Sequence, residues 1–155
     1  MATTDNTSTD AETTGRPDPY VLVPGTFTHA VGLQLDKVEV AGIDTVITGH
    51  LDVDERHHTP WGIVHGGVWA SVIESAASVG ASEVVAERGQ FAVGVDNLTD
   101  FLRPVRTGHI DVVARPIQIG RSLQMWQVEL TDGAGKLVAR GRVRLANQDV
   151  PTSAG

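Results

Sequence analysis

No cysteine occurs in the chain. Disulfides, thiolate metal sites and a cysteine nucleophile are thereby excluded, and nothing argues for an oxidising compartment. Bases are scarce as well: 12 Lys and Arg stand against 19 Asp and Glu, a formal charge of −7. A nucleic-acid partner is disfavoured, because neutralising phosphates needs clustered Lys and Arg. Aromatic residues make up only 5%, so the core must be built from Val, Ile, Leu and Ala. No stretch approaches the ~18 apolar residues of a membrane span, and the N-terminus lacks the basic and apolar regions of a signal peptide. The expected address is the cytoplasm, with no membrane partner. Patterns of the type GxxxxGK and GxGxxG are missing, which leaves nucleotide-hydrolysing and dinucleotide-binding readings without support.

What is present fits one ordinary domain: 155 residues, 41% hydrophobic and 20% charged, enough to bury about two-thirds of the unfolded chain's surface. Residues 1–19, "MATTDNTSTDAETTGRPDP", are rich in Thr, Asp and Ala without apolar periodicity. They are expected to be a disordered tail, and residues 148–155 a flexible one. The folded domain is expected over 20–147. Within it "GLQLDKVEV", "TVITGHLDV", "FAVGVDNLTDFL", "GHIDVVARPI", "LQMWQVEL" and "KLVARGRVRLA" read as strands, the last two joined by the hairpin turn "TDGAG". Along the last strand Leu137, Ala139, Gly141, Val143 and Leu145 share one face, while Val138, Arg140, Arg142 and Arg144 share the other. A period of two with one apolar face predicts an antiparallel sheet covered on one side.

The cover is one Ala-rich helix running from Gly67 to about Ala86. Trp69, Val72, Ile73, Ala76, Val79 and Gly80 recur at helical spacing and are expected to face the sheet. Ala70, Ser71, Glu74, Ala77, Ser78 and Ala81 form the other side. A solvated helix face carries Lys, Glu and Arg; small residues around a single acid predict that another surface or a ligand approaches Glu74. The helix is preceded by His65-Gly66-Gly67. Glycines permit close approach of the backbone, and the first-turn amides have no partner within the helix, so this corner can hold a developing oxyanion. His65 and Glu74 are nine residues apart, roughly two and a half turns. A group bound at the helix start can therefore meet an acid only from a facing subunit, or if the helix start curls back.

"VHGGVWASVIES", "AVGVDNLTDFLRPVRTGHIDVVARPIQIGRS" and "WQVELTDGAGKLVARGRVRLA" together resemble the hotdog-fold acyl-CoA thioesterases of the phenylacetic-acid-degradation type. Within these the chain is most similar to the Arthrobacter-type 4-hydroxybenzoyl-CoA thioesterase branch, and the likeness spans about Thr59 to Ala146. The resemblance implies an α+β hotdog fold, five to six antiparallel strands around one long helix. It also implies a site at a homodimer interface, dimers paired into a homotetramer, and hydrolysis of a CoA thioester, with an acyl group such as 4-hydroxybenzoyl or phenylacetyl. No cofactor is implied, since coenzyme A is part of the substrate. By the same resemblance Glu74 stands at the catalytic carboxylate, as nucleophile or general base. Gly66 stands at the amide that polarises the thioester carbonyl, His65 at the histidine shaping that turn, and Ser78 at a position orienting the nucleophile or water. Thr59 occupies a place where relatives carry a Gln; that departure leaves His57 or His58 as substitutes. Arg103, Arg121 and Ser122 match nucleotide-contacting positions, with Arg142 and Arg144 as further candidates.

A metal site built on His57, His58 and His65 is disfavoured: adjacent histidines in extended chain point opposite ways, and no acid completes a ligand spacing. His50 and His109 alternate with strand neighbours and read as structural. Trp61, beside the helix start, is a candidate for lining an acyl pocket. Two other functions fit the same fold: an acyl-CoA-binding module without catalysis, and a hotdog dehydratase using His65 and Glu74. Retention of a carboxylate at Glu74 favours the hydrolase.

Overall fold

The computed structural model describes Asp18 and residues 21–151, so most of the N-terminal tail and residues 152–155 lie outside the described residues. The elements in order are α1 (Phe27–Val31), β1 (Gln34–Glu39), β2 (Val46–Val53), α2 (Gly66–Val85), β3 (Gln90–Phe101), β4 (Gly108–Ile119), β5 (Leu123–Asp132) and β6 (Leu137–Asp149). The strands form one antiparallel sheet in the order β1-β2-β4-β5-β6-β3. All six expected strands are present, and the last runs on to Asp149, where it pairs with Gln90. The hairpin turn between β5 and β6 is closed by Asp132, whose side chain accepts from the Ala134 and Lys136 amides, with Gly135 at φ 74°.

The helix starts one residue before its expected first position and stops one residue earlier than expected, at Val85. Its burial is wider than one stripe. Trp69, Val72, Ile73, Ala76 and Gly80 are buried as expected, but so are Ala77 and Ala81, while Val79 is only half-buried. The reason is curvature: α2 packs against β2 through β6, so the sheet wraps it from more than one side. Small residues on that second side are what let β3 and β6 come in close.

The tightest approach is at Gly80. A Cβ there would lie 2.5 Å from the ring of Trp126 and 2.9 Å from Ile47. Trp126 is fully buried, and its indole N–H donates to Gln124 Oε1 at 2.9 Å. Gln124 in turn donates to the Ala81 carbonyl at 2.9 Å and to Asn147 at 2.8 Å, so the polar atoms beneath the helix are satisfied. The short helix α1 was not anticipated. Thr26 caps it by accepting from the His29 amide, and Gly32 ends it in the left-handed region.

On the outer face of the sheet, His50 and His109 stack with ring centroids 5.0 Å apart. Asp36 holds His50 Nδ1 and Asp52 holds His109 Nδ1, each at 2.8 Å, with Asp111 at 3.5 Å from His109 Nε2. The hydrogen bond that His109 donates to Asp52, then the nearby carboxylate charges, raise His109 above the ordinary imidazole pKa.

Two stability tests follow from this packing. Gly80→Ala should lower unfolding stability by about 1–2 kcal/mol in urea, because the clash with Trp126 outweighs the helix-propensity gain of alanine. A group whose pKa rises on folding stabilises below its unfolded value and loses that contribution as pH climbs through the folded one. Wild type should therefore melt above His109→Asn by the widest margin near pH 5, and the margin should shrink as pH rises beyond about 6.5.

Candidate active site

The helix start is held open by its own cap. His65 has extended backbone and accepts from the Gly67 amide through Nδ1 at 2.9 Å. The Val68 amide returns to the His65 carbonyl at 2.9 Å. The Gly66 N–H is left with no partner among the described residues, at the positive end of a 20-residue helix. A Cβ at Gly66 would stand 2.8 Å from the ring of Phe101, so any side chain there would have to displace that exposed ring.

The loop before the helix is braced in several ways. His58 bridges to Val64, and the His65 amide donates to the His57 carbonyl at 2.8 Å. Thr59 closes its own turn: its amide donates to the Ile63 carbonyl at 2.7 Å, and its Oγ1 accepts from the Trp61 amide at 3.3 Å. Arg106 donates to the Gly62 carbonyl at 2.9 Å. His57 is buried, with Nδ1 accepting from the Asp54 amide and Nε2 donating to the Val31 carbonyl. It is committed to structure, and the expectation that it replaces the missing Gln is corrected on that ground. His58 donates through Nε2 to the Arg106 carbonyl. Trp61 stands 80% exposed at the tip of this loop. Beside the helix start lies an open pocket of about 490 Å³, lined by Phe27, Ala30, Val31 and Val68 together with Arg56, His57, His58, His65, Gly67 and Ser71.

Glu74 lies in mid-helix and is half-buried. The residues at its spacing of four face β3: the Ser82 hydroxyl accepts from the Ala92 amide at 3.1 Å, and the Ala70 carbonyl accepts from Asn97 at 3.0 Å. Ser78, half-buried, stands between Glu74 and Ser82 on the same stripe. Asn97 also donates to Glu74 Oε2 at 3.0 Å, and its own carbonyl accepts from Thr99 Oγ1 at 2.7 Å. Glu74 Oε1 rests on Gly94, where a Cβ would collide with it. Between Gly94 and Asp96 the β3–β6 register shifts, a bulge that brings Asn97 and Thr99 inward. On the opposite face Asp96 pairs with Arg144 and Asp100 with Arg140. The Arg144 hydrogen bond holds Asp96 below the ordinary carboxylate pKa.

The sequence-derived residues thus fall into three groups in one chain. Thr59, His65, Gly66 and Arg103 gather at the helix start, since the Arg103 amide donates to the Val138 carbonyl just past Phe101. Glu74 and Ser78 lie at mid-helix. Arg121 and Ser122 lie at the far end, in the turn whose carbonyls accept from Asn147, beside Gln124 and Ala81. Gly66 and Glu74, eight residues apart, are about 12 Å apart along the axis. Asn97 and Thr99 were not anticipated; the available signal was polarity at inward positions of an otherwise apolar strand, hidden by the bulge.

Residues 62–139 match the family described as the Thioesterase superfamily. The Mycobacterium tuberculosis protein Rv1847 is 39% identical over 129 residues, covering 82% of this chain and 88% of that one. Its solved structure has a TM-score of 0.74 at 37% identity over 81% of this chain and 98% of that one. The Escherichia coli 1,4-dihydroxy-2-naphthoyl-CoA hydrolase is 33% identical, covering 76% of this chain and 85% of the relative. The thioesterase HI1161 of Haemophilus influenzae superposes with a TM-score of 0.73 at 30% identity, over 85% of this chain and 89% of that one. The fold is the hotdog fold, six antiparallel strands around one long helix. The chain belongs to the thioesterase superfamily and is by class a thioester hydrolase.

If Gly94 is kept free of a side chain for the sake of Glu74, Gly94→Ala should cut thioester hydrolysis at least tenfold. Circular dichroism and melting temperature should change little, because Gly94 lies at an exposed bulge of an edge strand.

Proposed function

We propose that this protein hydrolyses an acyl-CoA thioester with an aromatic acyl group, in a site shared by two copies of the chain. The observation that carries the reading is the half-buried Glu74 carboxylate pressed against an edge strand, some 12 Å along the helix from the unpartnered Gly66 amide. One chain cannot bring both groups to one carbonyl carbon, whereas a second copy joined along β3 can. That strand supports such a joint: it is 12 residues long, stands at the sheet edge, and exposes Val93, Val95, Leu98 and Phe101. A long apolar edge left bare is a template for pairing.

In this site the Gly66 N–H of one copy polarises the thioester carbonyl, where one such donor is worth about 3–4 kcal/mol in the transition state. Glu74 of the other copy either attacks the carbonyl carbon or takes a proton from the attacking water, and Ser78 helps orient that oxygen. The carbon–sulfur bond breaks as coenzyme A departs as thiolate, a leaving group good enough to need no strong general acid. An aromatic acyl group is supported by the naphthoyl-CoA hydrolases among the relatives and by the apolar side chains of Phe27, Ala30, Val31 and Val68 in the pocket beside the helix start; 4-hydroxybenzoyl- and phenylacetyl-CoA fit the same description. Arg103 is a contact for the coenzyme A phosphates near one helix start, and Arg121 and Ser122 are contacts from the opposite end of a neighbouring copy. A homodimer is the minimal unit, with pairing into a homotetramer and a cytoplasmic setting as further parts of this reading.

Thiol release should be measured on benzoyl-, 4-hydroxybenzoyl-, phenylacetyl-, naphthoyl- and short aliphatic CoA thioesters. Aromatic thioesters are expected to be cleaved fastest. Glu74→Gln should lower kcat by about 10²–10⁴-fold while the dimer persists in sedimentation. Undiminished turnover by that variant would remove Glu74 from the chemistry, and cleavage of no thioester by wild type would favour an acyl-CoA-binding module.

A further inference from the structure

Resting on that reading of Glu74, we infer that Asn97, locked by Thr99, is the positioning residue that sets which carboxylate oxygen of Glu74 acts. Both hydrogens of the Asn97 amide are used, one on Glu74 Oε2 and one on the Ala70 carbonyl, each at 3.0 Å. The amide cannot flip without placing its oxygen against two acceptors, and in the orientation this fixes the Thr99 hydroxyl donates to Oδ1 at 2.7 Å. Ala70 belongs to the same helix as Glu74, one turn earlier. Asn97 therefore ties the carboxylate to the backbone of its own helix and to β3 at once.

Glu74 Oε2 is spent on this clamp. Oε1 has no hydrogen-bond partner among the described residues and rests over Gly94, the one inward position of this strand segment without a side chain. Oε1 is thus the oxygen left to meet carbonyl carbon or water. Charge from β3 does not reach this oxygen directly, because Asp96 and Asp100 lie on the strand's other face, paired with Arg144 and Arg140. A neutral amide donor both stabilises the carboxylate and fixes its torsion, which is the requirement for a near-attack geometry.

The test uses the full-length protein carrying Asn97→Leu, Asn97→Asp, Asn97→Gln or Thr99→Val. Loss of the clamp should lower kcat tenfold or more in Asn97→Leu with KM within threefold. The acid limb of the pH–rate profile should move to higher pH, furthest in Asn97→Asp, where two carboxyls meet. Thr99→Val should move kcat and the acid limb the same way by a smaller factor, and Asn97→Gln should restore part of the loss. A second readout needs no activity: crystal structures of Asn97→Leu and Thr99→Val should show the Glu74 carboxylate turned away from its wild-type torsion or split between torsions. Unchanged kcat, acid limb and Glu74 torsion in folded Thr99→Val and Asn97→Leu would overturn the assignment. So would a change confined to KM. Should wild type cleave no thioester, the proposed function falls, while the Glu74 torsion still decides the clamp.

Discussion

An α-helix advances about 1.5 Å per residue, and this one number governs the molecule. The helix offers a free amide at Gly66 and a carboxylate at Glu74, and eight residues of rise keep them apart. Hydrolysing a thioester needs both around one carbon. The geometry of α2 thereby makes a single chain insufficient for the proposed chemistry, and everything at the edge of the sheet follows from that insufficiency. Strand β3 is long and exposes Val93, Val95 and Leu98 beside the paired Asp96 and Asp100, a liability for a monomer and an asset for a chain that, on the proposed reading, a second copy completes.

The same strand has a second task, and the two compete. Its apolar residues look outward at Phe91, Val93, Val95 and Leu98, while its inward positions carry Asn97 and Thr99. Polar side chains facing a helix cost stability unless their hydrogen bonds are complete. Here they are: Asn97 uses both amide hydrogens and its carbonyl, Thr99 supplies the latter's donor, and no buried polar side-chain atom among the described residues lacks a partner. A satisfied network of this kind rigidifies without a net penalty, so the strand accommodates the carboxylate with little loss of folding energy.

How far the sequence speaks depends on which interaction decides each element. The strands were legible because a covered sheet imposes a period of two, as in Ala139 through Leu145 against Arg140, Arg142 and Arg144; Val138, expected on the polar face, is instead buried, because the β5–β6 register shifts beside it. The helix was legible from its Ala-rich periodicity and from the His65-Gly66-Gly67 corner. Ala77 and Ala81 were placed on the side expected to meet another surface, and that surface is the curved sheet itself, which supplies two faces where periodicity describes one. Asn97 escaped notice because the bulge at Gly94/Asp96 inverts the strand's phase, and a one-residue shift exchanges inside for outside. His57 was offered as a ligand-facing residue, yet its contact to the Val31 carbonyl spans 26 residues of sequence, beyond the reach of any local pattern. Arg103 and Arg121 lie at opposite ends of the sheet, a separation that strand order alone, not spacing, determines.

The acidic balance of the chain bears on substrate capture. With a formal charge of −7, long-range attraction cannot be what delivers a polyphosphorylated thioester, because the mean field repels it. Local cations must do the work at short range, where screening at physiological salt leaves about 8 Å of reach. Most cations near the site are already spent: Arg140 and Arg144 neutralise Asp100 and Asp96, and Arg106 is tied to the Trp61 loop. The Arg103 guanidinium has no partner among the described residues, and its residue lies near the helix start, where the dipole adds to its charge. A single free guanidinium next to a positive helix end suits one phosphate group rather than a charged polymer. On the proposed reading, these electrostatics suit a small phosphorylated ligand held by few contacts, with the pocket beside the helix start supplying the rest of the binding energy.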